Sequence, residues 1–156
     1  MHSADKSKSA DDSVNLDWVK PFSRERIRVV VKFLPILESI RPDELARVVK
    51  SPEDEGDSCV AGHLEYHPAV YEFMQACYDN GLVQPFDWQS WARVGRRYMS
   101  DSKLVASARL STCIKLITAS LRYERFCDGH LGGVIESGHI TAILRRLEQL
   151  THLPKQ

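Results

Sequence analysis

The stretch of sequence that decides the fold is LSTCIKLITASLRYERFCDGHLGGVIESGHITAILRRLEQL, residues 110–150. Apolar residues recur every three or four positions along its first part, at Leu110, Ile114, Ile117 and Leu121. This period predicts an amphipathic helix with Lys115 and Thr118 on its outer side. Further helices are predicted from Asp128 to Ser137 and, after a turn at Gly138, from His139 to Leu150.

Outside this stretch, prolines and glycines mark the ends of further helices. Pro68 suits the first turn of a helix, and Gly81 supplies the left-handed residue at which helices commonly end. Alternating runs rich in valine, isoleucine and threonine, which mark strands, are missing. We therefore predict an all-α fold: a single compact domain of six or seven helices over residues 21–152, preceded by a flexible tail at residues 1–20.

Two prolines divide the first helical region. Pro35 interrupts an apolar helical pattern, and proline inside a helix removes a hydrogen bond and clashes with the preceding turn. A kink or break is therefore expected near Phe33. Pro42 suits the first position of a short helix, whose Val48 and Val49 are expected to face inward.

The composition is that of a soluble globular protein. Hydrophobic residues make up 43% of the 156 positions and charged residues 27%. Lys plus Arg and Asp plus Glu balance at 21 each, so no net field draws the protein to nucleic acid or to an anionic membrane. No apolar run approaches the roughly 20 residues that span a bilayer. The four cysteines form no CxxC pair and are expected to stay reduced, so we expect a cytoplasmic protein with no membrane partner.

Glycines are concentrated near the C-terminal end of the chain, at positions 129, 132, 133 and 138. A glycine inside a helix costs roughly 0.8–1.0 kcal/mol relative to alanine. We therefore expect Gly129, Gly132 and Gly133 to allow a close approach that a Cβ atom would block. If the chain has a functional site, we expect it in this segment, 125–139, but the interpretation that we favour for the glycines is a tight helix–helix crossing in the core.

Several short blocks of the chain occur together in a recognisable order. They are Tyr78-Asp79-Asn80-Gly81, Pro85-Phe86-Asp87-Trp88, Arg125-Phe126, Gly129 and Gly138. In this combination the chain resembles a family of small bacterial and archaeal proteins known only as a domain of unknown function, and the likeness covers roughly residues 33–150. The resemblance implies a small, single-domain prokaryotic protein of the cytosol. It brings no activity, cofactor or catalytic residue.

The segment 125–139 also holds the candidate catalytic and binding residues. Cys127 and His130 lie one helical turn apart, and the turn at Gly138 could bring His139 back toward them. Glu136 could orient an imidazole or act with it as an acid–base pair. The candidates for catalysis are His130, Glu136 and His139, and those for binding are Arg125, Asp128 and His130. In the interpretation that we favour, however, Asp128 caps a helix, His130 lies at a helix–helix contact and His139 begins the next helix.

A possible metal site is formed by Cys59, His63 and His67, which are spaced by four residues. On a helix this spacing places three side chains on one face, as a metal site requires. However, Gly62 and Pro68 bracket the segment and argue against one continuous helix, and no fourth ligand is visible. We therefore expect no bound transition metal and assign no cofactor.

Asp87 is expected to cap a helix with two unlike sides. One side is aromatic and expected to lie in the core, and the opposite side is basic: Trp88, Trp91 and Tyr98 against Arg93, Arg96 and Arg97. Clustered arginines could hold phosphates. Because such faces are usually solvated and the net charge is zero, we expect no more than weak nucleic-acid binding here.

No motif in the chain names a reaction. The leading interpretation is a non-enzymatic interaction or regulatory module of a prokaryotic cytosol, whose partner is a protein or a second copy of the chain. One alternative is a small hydrolase or nuclease-like enzyme that uses residues 125–139. The other is a weak nucleic-acid binder that uses the arginine face. The sequence leaves the ligand, the oligomeric state and the pathway open.

Overall fold

Helices form in most of the places where the apolar period predicts them. The computed structural model describes residues 24–49 and 63–152, so the predicted tail lies outside the described residues. The helices are α1 (Arg24–Val31), α2 (Phe33–Ser39), α3 (Pro42–Leu45), α4 (Pro68–Asp79), α5 (Ala92–Ser100), α6 (Ser102–Ala106), α7 (Leu110–Glu124), α8 (His130–Glu136) and α9 (His139–His152). Two short strands, β1 (Ala46–Val49) and β2 (His63–Tyr66), separate α3 from α4. The predicted all-α single domain is confirmed.

Within the described ranges, the helices are shorter and more numerous than the six or seven predicted. The first break falls at Lys32, between α1 and α2, three residues before Pro35. A proline ring clashes with the carbonyl four residues earlier, which here belongs to Val31, the last residue of α1. The break expected near Phe33 is therefore confirmed, and its cause is steric.

The two-stranded sheet is the main departure from prediction. Pro42 begins α3 as expected, but the helix ends after four residues and the chain continues as β1. β1 pairs antiparallel with β2, with Ala46 opposite Tyr66. The prediction that Val48 faces inward is wrong, because this side chain is 65% exposed. Adjacent β-branched residues favour an extended backbone, and a strand of four residues is too short to show an alternating pattern.

Helix α9 is the centre of the packing. It contacts α1, α2, α6, α7 and α8. Its predicted apolar stripe is completely buried at Ile140, Ile143, Leu144 and Leu147. Each such side chain contributes about 1.5–3 kcal/mol when it leaves water, so this stripe accounts for a large share of the driving force for folding.

Helix α7 is more completely buried than its amphipathic pattern predicts. The prediction that Lys115 and Thr118 lie on the outer side is wrong, because both side chains are buried. A loop crosses this side of the helix. The Thr118 hydroxyl donates to the carbonyl of Leu82 at 3.1 Å and accepts the N–H of Gln84 at 3.1 Å. The Lys115 ammonium lies 5.7 Å from the centroid of the Trp91 ring.

The helix expected to start at Asp87 starts later. The Asp87 carboxylate accepts the N–H of Ser90 at 3.2 Å and so caps a turn, while α5 begins at Ala92. Trp88 therefore lies in the turn and not on the helix. This places its ring against Tyr123 of α7, at 5.8 Å between ring centroids.

Candidate functional site

The start of helix α8 is held by a side chain from the end of α7. The carboxylate of Glu124 accepts the N–H of Leu131 at 2.7 Å and the N–H of Gly129 at 3.3 Å. The first N–H groups of a helix lack partners within it, so this carboxylate acts as the cap and complements the positive end of the helix dipole. Glu124, and not Asp128, therefore caps α8. Sequence reasoning missed this role because the cap lies across a loop from the helix.

Tyr66 of β2 joins the same hydrogen-bond network. Its hydroxyl donates to Oε1 of Glu124 at 2.7 Å and accepts the N–H of Gly132 at 3.2 Å. Burial, together with the hydrogen bond to Glu124, raises the pKa of the Tyr66 phenol, which therefore remains a neutral donor. The sheet, α7 and α8 are tied together at this point. No local pattern in the sequence could reveal such a long-range link.

Three of the four glycines in the segment 125–139 have different roles. A Cβ atom on Gly132 would lie only 2.9 Å from Cε1 of Tyr66, so the predicted close approach is present there. Gly129 adopts a φ of 91°, a left-handed conformation that favours glycine. For Gly133 the prediction of a close approach is wrong, because nothing lies within 4 Å of the position of its Cβ.

A pocket opens beside this network, between α5, α7 and the first residue of α8. Its volume of about 340 Å³ is near the lower end of the range for small-ligand sites. We call it the aromatic pocket. Its lining is mostly apolar and aromatic: Trp88, Trp91, Ala92, Gly95, Arg96, Met99, Leu116, Ala119, Ser120, Tyr123 and His130.

A chain of rings surrounds the mouth of the aromatic pocket. The Tyr123 ring lies 4.6 Å from that of His130, and Trp88 lies 5.9 Å from Phe126. Two of these side chains are exposed, Phe126 at 75% and Tyr123 at 45%. Neighbouring exposed aromatic side chains are uncommon on soluble proteins and mark interaction sites.

Trp91 is a deeply buried member of the lining, at 4% exposure, as its predicted core position requires. Gly95 allows the ring to lie close to α5, since a Cβ there would be 3.2 Å from Cζ3 of Trp91. The Trp91 Nε1 atom has no hydrogen-bond partner among the described residues. A buried donor without a partner costs about 1–3 kcal/mol, so an acceptor on a ligand would be favoured if it reached this atom.

One of the three arginines of α5 makes an edge of the pocket positive. Arg96 lines the pocket, and Arg93 and Arg97 are exposed on the same helix. In the ranges that the structure describes, none of the three forms an ion pair with a carboxylate. Like charges three or four residues apart on a helix repel each other by about 0.2–0.5 kcal/mol per pair. An anionic group on a binding partner would relieve that repulsion.

Both histidines of the segment 125–139 are neutral at neutral pH. Burial lowers the pKa of His130, against the opposing charge of Glu124. Burial and then the nearby His130 lower the pKa of His139 to about 4, and this side chain is only 6% exposed. Its Nε2 atom has no partner in the described part of the chain. His130 therefore presents an uncharged imidazole to the aromatic pocket.

The other candidate residues of this segment lie elsewhere. The Arg125 guanidinium lies over Tyr78, 5.9 Å from the ring centroid. Asp128 and Glu136 are exposed, and Glu136 borders a separate hollow between α2, α8 and α9. Of the residues predicted for catalysis or binding, His130 is the one that lines the aromatic pocket.

The candidate metal ligands do not share a helix face. His63 is exposed on β2, and Nδ1 of His67 accepts the N–H of Ala69 at 3.1 Å, which caps α4. Cys59 lies outside the described residues. Within residues 24–49 and 63–152, no group of three or more His, Cys, Asp or Glu side chains could hold a metal ion.

The fold and the pocket define a small all-α domain with an aromatic pocket at its surface. The chain belongs to the family of unknown function DUF6508, whose model matches residues 22–152. The resemblance drawn from the blocks at 78–88 and 125–138 is thereby confirmed. No curated protein and no solved structure matches the chain significantly. Among the described residues, no helix is both long and apolar enough to cross a membrane.

Proposed function

We propose that this protein is a non-enzymatic interaction module that recognises a protein partner through the aromatic pocket. The proposal rests on the exposed apolar side chains around that pocket, Phe126, Tyr123 and Met99. Large apolar side chains that remain exposed side by side mark binding surfaces. Aromatic residues, methionine and arginine are the types enriched at protein interfaces, and the lining of the pocket contains all three.

The extent of the apolar surface favours a protein over a small molecule. Phe126 is not part of the pocket lining, but its ring lies 5.9 Å from Trp88 and continues the aromatic surface outward. A small ligand in the pocket would leave this ring in water. A protein segment, from another protein or from a second copy of the chain, would cover both the pocket and Phe126.

We place this module in the cytosol of a prokaryote. The setting is supported by the family resemblance and by the state of the cysteines. Cys77 and Cys113 are buried, and Cys127 is an exposed free thiol. Exposed free thiols suit a reducing compartment, where disulfides are rare.

The proposal is tested by selecting peptides from a random displayed library against the immobilised full chain. Selected peptides are expected to bind saturably and to lose roughly tenfold or more in affinity when Trp88→Ala and Phe126→Ala are combined, because buried aromatic anchors dominate such interfaces. Ile36→Ala is the matched control: Ile36 is an exposed apolar residue, at 42%, on α2. This variant should bind as the wild type does.

Two results would contradict the proposal. One is a set of selected peptides that bind the folded double variant as tightly as the wild type. The other is the absence of any saturable peptide together with a monomeric chain in sedimentation experiments. If the partner is a second copy, the wild type should instead sediment as a dimer that the double variant dissociates.

A further inference from the structure

We infer that the segment seated in the aromatic pocket is an acidic peptide that carries one aromatic side chain beside its carboxylates. The inference rests on the proposed function and adds the chemical class of the partner. It draws on the size and ring geometry of the pocket, and on the charge at its edge.

The pocket fits one aromatic side chain. Its volume of about 340 Å³ is large enough to take one ring system. The plane of the Tyr123 ring makes an angle of 79° with the Trp88 ring and of 50° with the His130 ring. The pocket therefore offers both faces and edges of aromatic rings to an inserted group. Aromatic groups pair with ring centroids about 4.5–7 Å apart in such tilted arrangements. A ring inserted here would serve as the central anchor that interfaces typically use.

The charge of the pocket edge selects an acidic neighbour for that ring. The lining contains one arginine, Arg96, and no carboxylate. Asp87 precedes Trp88 in the turn that lines the pocket, and its carboxylate already accepts a hydrogen bond from the N–H of Ser90. His130 adds no charge of its own at neutral pH, because burial lowers its pKa. A carboxylate on the partner would meet an unpaired guanidinium, whereas a lysine there would be repelled.

Arginine suits this role because its planar guanidinium can donate two parallel hydrogen bonds to one carboxylate. Arg96 follows Ala92 by four residues and precedes Met99 by three, so all three share the helix face that lines the pocket. Arg97 does not line the pocket. The anionic group of the partner is therefore expected to contact Arg96, next to the seated ring.

Nucleic acid shares this combination of rings and negative charge, but the observations favour the peptide. Strong nucleic-acid binding needs many phosphate contacts. The chain has no excess of positive charge, with 21 basic and 21 acidic residues. A single-stranded oligonucleotide is therefore included in the test as a competing outcome.

The test compares four short peptides in titrations with the full chain. The first has a phenylalanine flanked by glutamates, the second replaces the glutamates by glutamines, the third replaces them by lysines, and the fourth replaces the phenylalanine by alanine. Binding is followed by calorimetry and by the emission of the pocket tryptophans, which phenylalanine does not mask. The first peptide is expected to bind roughly tenfold or more tighter than the second, the effect of one charge-assisted hydrogen bond.

Two arginine variants locate the charge effect. Arg96→Gln should remove most of the advantage that the glutamate peptide has over the glutamine peptide. Arg97→Gln is the matched control and should retain that advantage. Circular dichroism on both variants confirms that each is folded.

The outcomes separate this inference from the proposed function. If the glutamine peptide binds as tightly as the glutamate peptide, or if the alanine peptide does, the inference is overturned while pocket binding stands. An oligonucleotide that binds more tightly than any peptide and is lost with Arg96→Gln overturns it in favour of nucleic acid. If none of the four peptides binds but library-selected peptides do, only the inference falls. If no peptide of either kind binds and the chain sediments as a monomer, both fall.

Discussion

Gly132→Ala and Gly133→Ala test the packing of α8 as a matched pair. The two glycines are neighbours in one short helix, so alanine brings each the same gain in helix propensity, roughly 0.8–1.0 kcal/mol. Their surroundings differ. The new Cβ at Gly132 would lie 2.9 Å from Cε1 of Tyr66, whereas nothing lies within 4 Å of the new Cβ at Gly133.

The size of the effect follows from how firmly Tyr66 is held. Carbon atoms in ordinary contact are about 3.5–4.0 Å apart, so the ring would have to move by several tenths of an ångström. Tyr66 is only 6% exposed, and its hydroxyl is bonded to both Glu124 and Gly132. Overpacking of this kind costs about 1–3 kcal/mol. Because the propensity gain cancels between the variants, Gly132→Ala should be less stable than Gly133→Ala by that amount.

Equilibrium unfolding in urea, followed by far-ultraviolet circular dichroism at neutral pH, measures the difference. Gly133→Ala should be more stable than the wild type by up to about 1 kcal/mol. Repeating the pair in a Tyr66→Leu background, where the ring is gone, should bring the two variants together. Equal stabilities of the two variants in the wild-type background would refute the assignment of Gly132 to packing against Tyr66.

Two further predictions concern buried ionisable groups. The pKa of His139 is about 4 in the folded state and 6.5 in the unfolded state. The stabilisation that comes from burying this histidine in its neutral form is therefore fully present above pH 6.5 and is lost as the pH falls toward 4. Between pH 7 and pH 4.5 the unfolding free energy of the wild type should therefore fall by about 2–3 kcal/mol more than that of His139→Gln. The exposed control His152→Gln should follow the wild type. Parallel pH profiles for the wild type and His139→Gln would show that His139 is not the source of the pH dependence. Glu124→Gln should destabilise the fold by about 1–3 kcal/mol in urea, because it weakens the cap of α8 and the hydrogen bond to Tyr66. The control variant Glu136→Gln, at an exposed position, should have little effect. Equal losses of stability in the two variants would argue against the capping role of Glu124.

The elements that the sequence predicts well are those in which one helix face meets the core over several turns. Helix α9 is an example, since Ile140, Ile143 and Leu147 show the helical period and are buried together. The errors arise where distant segments decide the environment. Lys115 and Thr118 match the outer side of an amphipathic helix, yet a loop that begins at residue 82 covers them. The strand β1 is too short to display a period.

The candidate site was only partly predictable for the same reason. His130 could be singled out because it lies in a segment rich in glycine and histidine. The aromatic pocket could not, because it depends on a turn that displaces Trp88 from α5 toward Tyr123. Glu124 and Tyr66 carry no local signal, since their furthest partners lie 58 and 66 residues away in the sequence.

The bond between Tyr66 and α8 has a consequence for how this family can vary. The hydroxyl at position 66, the carboxylate at 124 and the missing side chain at 132 fit one another, so a change at one alters what the other two must satisfy. A relative with a smaller residue at position 66 has room for alanine at 132 and leaves the carboxylate at 124 without one of its donors. Positions 124 and 132 follow Tyr66 by 58 and 66 residues, and the three positions should therefore covary. The same dependence ties His130 in the pocket wall to a strand far from it in sequence.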